Sequence, residues 1–219
     1  MILYHGSKTG ISGRIRYDYG RATCDFGRGF YAGEKKEQPV SLVAGFEKAT
    51  LYTLECSFDG LNVFSFDDTY ESRMDWALFV AYNRNILDFS VYPRLKKRFD
   101  TWIREYDVIC GNIANDRMTI ALDYFYRGLL CDRALLDALE YVKLGKQYVF
   151  KSERSCADTV LHIVDEHRLT PEEKRLTGIQ NKNILRQNRD VIEQLQTRYR
   201  RAADALFYDE VLSAKEAAS

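Results

Sequence analysis

Asp25-Phe26-Gly27-Arg28-Gly29-Phe30-Tyr31-Ala32 is the stretch on which the fold of this chain turns. Two glycines separated by one residue stand ahead of an aromatic pair. Glycine reaches backbone conformations closed to other residues, and aromatic residues favour strands, so the pattern predicts a tight turn and a strand over Phe26 to Ala32. Upstream, Ile2 to Tyr4 is short and apolar and runs into His5-Gly6-Ser7, a first strand ending in a histidine beside a glycine. Seven glycines fall between residues 6 and 33. That density predicts tight turns and backbone that passes close to something else.

Downstream, Glu34 to Lys48 reads as a helix with Pro39 in its first turns, Thr50 to Phe58 as an alternating strand, and Asn62 to Phe66 as a short strand. Helices follow over Thr69 to Asn85 and Pro93 to Glu105, then a buried strand over Tyr106 to Cys110. Arg117 to Leu130 and Arg133 to Val142 read as helices, and Gln147 to Lys151 and Val160 to Val164 as strands. Strands and helices mix without a βαβ alternation, so the expected class is α+β, with a sheet gathered from segments distant in sequence. Thr170-Pro171-Glu172-Glu173 opens a helix expected to reach about Phe207, with proline at its first turn and acids at the positive end of its dipole. Its apolar stripe (Ile184, Val191, Leu195) is thin and its arginines many, which fits either a solvated helix lying along the domain or a partner-binding arm. Residues 1–168 are read as one domain and 169–219 as a C-terminal helical extension.

The 219 residues hold 32 basic and 32 acidic side chains, so no global field draws the chain to nucleic acid. Cys24, Cys56, Cys110, Cys131 and Cys156 are odd in number and widely spaced, which predicts reduced thiols of a cytoplasmic protein and no metal site. No signal peptide and no apolar run of about 20 residues is visible, so no membrane association is expected. His162, in an apolar run, is expected in the core and His167 in a charged loop. Neither a dinucleotide-binding GxGxxG nor a P-loop is present.

Taken in order, Tyr4-His5-Gly6-Ser7 and Phe26-Gly27-Arg28-Gly29-Phe30-Tyr31-Ala32 resemble the His-Tyr-Glu branch of the ADP-ribosyltransferase superfamily, that of poly(ADP-ribose) polymerases and diphtheria toxin. Residues 2 to about 165 resemble more closely a family of short bacterial proteins of unknown function placed in that superfamily and often suspected to be toxins of toxin–antitoxin pairs. The shared runs are Asp25 to Tyr31 and Tyr106-Asp107-Val108-Ile109-Cys110-Gly111-Asn112-Ile113-Ala114-Asn115-Asp116. The resemblance implies a split β-sheet flanked by helices, with NAD as substrate. It gives His5 the triad histidine, Tyr31 the stacking tyrosine, Gly6 the grip on the nicotinamide amide, and Gly27-Arg28-Gly29 the turn before the strand. Phe30 and Asn115 join the cofactor-binding set through the same runs. At the triad glutamate the sequence departs, since Lys146-Gln147-Tyr148-Val149-Phe150 carries Gln147 there.

Cleaving the glycosidic bond of NAD develops a cationic ribosyl group, so the site must hold the amide, orient the ribose and stabilise positive charge. A neutral His5 can bond a ribose hydroxyl, and Tyr31 offers a ring on which its hydroxyl matters less. Ser7, Arg28, Arg14 and Arg16 can reach the diphosphate or adenosine side. Gln147 can accept a hydrogen bond but cannot act as a base. The missing carboxylate is sought first in Asp116, which also suits a helix N-cap, and then in Asp25. On this view Gln147→Glu should raise NAD hydrolysis. The expectation is a mono-ADP-ribosyltransferase, with NAD glycohydrolase as side activity, acting on a protein or nucleic-acid acceptor, with an antitoxin protein as its expected partner. A degenerate NAD- or ADP-ribose-binding protein, or an interaction module, stands as the alternative.

Overall fold

The computed structural model describes residues 1–114, 116–142, 145–202 and 204–219, and of residues 116, 117 and 142 the backbone alone. Its class is α+β. The strands among the described residues are β1 (Ile2–Ser7), β2 (Phe30–Gly33), β3 (Thr50–Cys56), β4 (Val63–Ser65), β5 (Val108–Asn112), β6 (Lys146–Phe150) and β7 (Leu161–Arg168). The helices are α1 (Glu37–Val43), α2 (Tyr70–Asn83), α3 (Pro93–Glu105), α4 (Asp116–Tyr126), α5 (Asp132–Val142), α6 (Pro171–Tyr199) and α7 (Tyr208–Ala218).

The strands form one sheet in the order β4-β5-β6-β2-β1-β3-β7. Among the described strands only β4 and β5 pair in parallel. Pairing is extensive within each half: β1 matches β3 from Ile2–Glu55 to Ser7–Thr50, and β2 matches β6 from Phe30–Phe150 to Gly33–Gln147. Between the halves, β1 and β2 share the single registered pair Tyr4–Gly33. The sheet is therefore two ladders joined at one point.

Alternation of side chains along the strands divides the core between two faces. On one face Ile109 and Val149 pack with Phe26, Phe66, Phe79, Phe99 and Phe125 beneath the helices. α2 runs through this layer with Met74 and Trp76 to Ala81 all buried, as a helix surrounded by protein must be. Trp76 Nε1 meets its hydrogen-bonding need by donating to the Asn112 carbonyl at 2.9 Å. On the other face Leu3, Phe30, Leu54, Tyr148 and Phe150 are covered mainly by loop residues, including Ile15 and Cys156. The glycine-rich segment thus closes a core as well as lining a site.

Several expectations change. β2 begins at Phe30, not Phe26, because Gly27 turns at φ +76°. The last helical stretch is broken, since α6 ends at Tyr199 and α7 starts at Tyr208. α6 opens with the expected cap, Thr170 and Glu173 bonding each other's backbone. His162 lies exposed on the outer strand β7, where alternation turns it to solvent, and His167 on the same strand meets Glu173 at 3.0 Å. Cys56, Cys110, Cys131 and Cys156 are buried free thiols and Cys24 is half-buried.

The C-terminal helices share the main core: Ile192, Leu195, Tyr208, Val211 and Leu212 are buried in the cluster that holds α2 to α5. Lys215 donates to the Glu71 carbonyl at 2.8 Å and lies 3.0 Å from the Asp75 carboxylate. The Glu216 carboxylate accepts from the amides of Arg94 and Leu95 at 3.0 and 2.9 Å, satisfying the first turn of α3. Leu212→Ala is accordingly expected to destabilise the whole domain by about 2–5 kcal/mol, read from chemical denaturation. A loss under about 0.5 kcal/mol, the scale of surface changes, would show that α7 is peripheral.

Candidate active site

Where β1 and β2 part beyond the Tyr4–Gly33 pair, a cavity of about 920 Å³ opens. That volume suits an extended small molecule. β1 brings His5 to the seam, and its Nδ1 lies 2.6 Å from the Tyr31 carbonyl oxygen on β2. A carbonyl only accepts, so Nδ1 carries the proton and Nε2 keeps a lone pair. The imidazole stacks on Phe30, with centroids 4.2 Å and planes 26° apart. Burial pushes its pKa below 6.5, against the smaller opposing effect of the Tyr31 carbonyl, so the ring is neutral at neutral pH.

β2 supplies Tyr31. Its hydroxyl donates to the Gly27 carbonyl at 2.7 Å and accepts from the Phe26 amide at 3.0 Å. The ring therefore staples its own preceding turn, and burial raises its hydroxyl well above the ordinary tyrosine range. Lys151, at the end of β6, holds the same turn by donating to the carbonyls of Phe26 and Arg28 at 2.6 and 3.1 Å, and burial lowers its pKa to about 8. Gly27 is required there twice over, by its φ of +76° and by Asn83 Oδ1, which would lie 2.7 Å from a Cβ.

β6 supplies Gln147. Register sets Tyr31 beside Val149 and Gly33 beside Gln147, so Tyr31 and Gln147 project to one face and Phe30 to the other. His5, paired with Tyr52 and stacked on Phe30, projects to Phe30's face and meets Tyr31 through its backbone carbonyl, at the seam. The Gln147 amide donates from Nε2 to Asp25 Oδ2 at 3.0 Å and to the Asn112 carbonyl at 3.2 Å. Asp25 Oδ1 in turn accepts from Arg84 Nε and Nη2 at 3.0 and 2.6 Å, and Arg84 Nη2 also reaches the Ala114 carbonyl. Arg84 directly follows α2, whose buried body fixes it in place.

Of the residues expected to form the site, His5, Gly6, Ser7, Arg14, Arg16, Asp25, Gly29, Phe30, Tyr31 and Gln147 line this cavity. Gly27 and Arg28 are not among its lining residues; Gly27 is inside the turn and the Arg28 side chain is exposed. Asn115 and the Asp116 side chain lie outside the described residues. Gly6 has a packing reason to lack a side chain, since a Cβ there would come 2.6 Å from the Pro39 carbonyl oxygen of α1. Arg14 and Arg16 stand at the rim, the first 3.3 Å from Glu153 and the second bonded to Asp18 at 2.9 and 2.5 Å. These exposed pairs contribute little and are free to exchange for a phosphate. Sequence reasoning missed Arg84, Arg21, Lys151 and Gln38. None belongs to a local motif, and Arg84 meets Asp25 across 59 residues of chain.

Two outcomes follow from the geometry. Tyr31→Phe strips the turn of both hydroxyl bonds, so it is expected to cost about 1–3 kcal/mol of stability by denaturation, more than a reading of Tyr31 as a ring alone allows. For His5, the depressed folded pKa means that the unfolded chain binds more protons near pH 6. The stability His5 contributes is present above 6.5 and lost as pH falls through the folded value. Measured against His5→Gln, the wild-type advantage should shrink on acidification below 6.5; an advantage flat with pH would contradict the half-buried, neutral ring.

A family profile described as "Protein of unknown function (DUF3990)" matches residues 1–161. No curated protein and no solved structure matches the chain. No helix among the described residues is long and apolar enough to cross a membrane.

Proposed function

The chain belongs to the DUF3990 family, and we propose that it is a NAD-dependent mono-ADP-ribosyltransferase that cleaves the nicotinamide–ribose bond and passes ADP-ribose to a macromolecular acceptor. The observation that carries this is the meeting of His5, Tyr31 and Gln147 at one cavity, delivered by three different strands and separated by up to 142 residues of chain. Those positions answer to the triad of the His-Tyr-Glu transferases, which the sequence matches at His5 and Tyr31 and departs from at Gln147.

The residues present suit the substrate. Tyr31 gives a rigid apolar face to a planar ring because its hydroxyl is already tied down. Gly6 leaves backbone polar groups open to an amide. His5, neutral and protonated on Nδ1, offers Nε2 as an acceptor for a ribose hydroxyl. Gln147, with Nε2 committed to Asp25 and Asn112, offers Oε1 as a second acceptor. Lys8, Arg14, Arg16 and Arg21 line the mouth and match a diphosphate. As the glycosidic bond lengthens, the bonding electrons leave with nicotinamide and the ribosyl carbon becomes electrophilic. Acceptors aimed at the ribose hydroxyls stabilise that charge, and the nucleophile comes from the acceptor molecule. With an amide at position 147 and Asp25 neutralised by Arg84, the site has little power to deprotonate an acceptor. Single transfer to an already nucleophilic group fits this better than chain elongation. A toxin of a toxin–antitoxin pair, cytoplasmic and restrained by an antitoxin, is the biological setting in which we place it.

The same neutral amide favours a second reading, a protein that binds NAD or ADP-ribose without turnover. Nicotinamide release from NAD by the pure protein decides between them, together with a search for ADP-ribose adducts in a lysate by mass spectrometry. Release is expected, and His5→Ala should slow it by about 100-fold. Calorimetric binding with no release would support the second reading, and absence of both would sink the two together.

A further inference from the structure

Resting on the functional reading above, we infer that Asp25 and Arg84 are positioning residues that hold the Gln147 amide with its oxygen toward the substrate. The two ends of a glutamine amide are nearly the same size, so shape alone does not choose which one faces a ligand. Here the choice is forced. Nε2 meets Asp25 Oδ2 at 3.0 Å and the Asn112 carbonyl at 3.2 Å, and neither partner can donate. The Asn112 carbonyl is itself fixed by Trp76 Nε1 at 2.9 Å. With Nε2 so committed, Oε1 is the end of the amide left for the cavity, which Gln147 lines.

Asp25 would be free to rotate if Arg84 did not take Oδ1 through two nitrogens, at 3.0 and 2.6 Å, leaving Oδ2 for Gln147. Arg84 is steadied by the Ala114 carbonyl and by its place at the end of the buried helix α2. Orientation therefore passes from α2 through Arg84 and Asp25 to Gln147. The carboxylate that the sequence lacks at position 147 stands one residue behind it. This changes what Gln147→Glu does: the new carboxylate faces Asp25 across about the present 3.0 Å, where two carboxylates cannot both ionise. A gain from that substitution requires Asp25→Asn as well, which turns the acceptor behind position 147 into a donor.

The test is a double-mutant cycle read by nicotinamide release at saturating NAD, with NAD affinity by calorimetry. Asp25→Asn and Gln147→Ala should each lower kcat by about 10- to 100-fold with KM little changed, and the pair together no further than either alone. Asp25→Asn with Gln147→Glu should recover at least tenfold over Asp25→Asn. Additive losses would show that Asp25 acts on substrate directly, and an undiminished kcat in Asp25→Asn would show that it does nothing there; either overturns the inference. A second measurement needs no Asp25 variant and no ligand. The side-chain amide resonance of Gln147 in 15N-labelled protein, identified by its loss in Gln147→Ala, should shift in Arg84→Gln, which releases the Asp25 carboxylate that accepts from it. An unmoved resonance overturns the positioning role. If wild-type protein neither binds NAD nor releases nicotinamide, the functional reading fails, and this resonance still decides whether Asp25 holds Gln147.

Discussion

One registered pair, Tyr4–Gly33, joins two otherwise well-laddered halves of the sheet, and the candidate site exists because of it. A sheet continued by backbone bonds along all of β1 and β2 would leave no opening between them. Instead the strands part, and the His5 imidazole bonds the Tyr31 carbonyl where a peptide amide would otherwise serve. That bond meets a backbone acceptor's need, selects one tautomer, and leaves the opposite nitrogen with its lone pair. Structure and proposed function draw on the same side chain.

The glycine-rich turn ahead of β2 is held from several directions at once. Tyr31 bonds it through its hydroxyl, Lys151 through two carbonyls, and Arg84 through Asp25. Buried backbone polar groups need partners, and a turn with two glycines has few side chains of its own to provide them. The partners therefore come from β2, β6 and α2, which makes the turn a junction between the strands that carry Tyr31 and Gln147 and the helix that carries Arg84. Disturbing any of these ties moves the site and the fold together.

The C-terminal helices belong to the same economy of burial. α6 is polar along much of its length, yet Ile192 and Leu195 reach the core that α7 completes with Tyr208, Val211 and Leu212. The family match ends at residue 161 while the buried cluster continues to residue 212, so the matched segment and the folded unit are not the same length. A thin apolar stripe on a long helix marked where α6 touches the domain.

The α+β class and most elements were legible in the sequence, because periodicity, glycine spacing and helix caps are local properties, and ten of the residues singled out there line one cavity. Thr170 and Glu173 start α6 as their spacing requires, and the alternation of Thr50 to Cys56 makes β3. His5, Tyr31 and Gln147 could be singled out because each lies in a short recognisable run. Their arrangement could not. That the His5 ring bonds the Tyr31 carbonyl depends on where two strands stop pairing. That Tyr31's hydroxyl is structural depends on a turn four residues away folding back onto it. The orientation of Gln147 was out of reach for the same reason, since its acceptor lies 122 residues away and that acceptor's own partner sits on a helix a further 59 residues from it. The sequence by itself determined which groups are present and the local shape of the backbone that bears them. Tertiary structure alone decided which donor faces which acceptor, because hydrogen bonds are directional and short, and only packing brings distant segments within their reach.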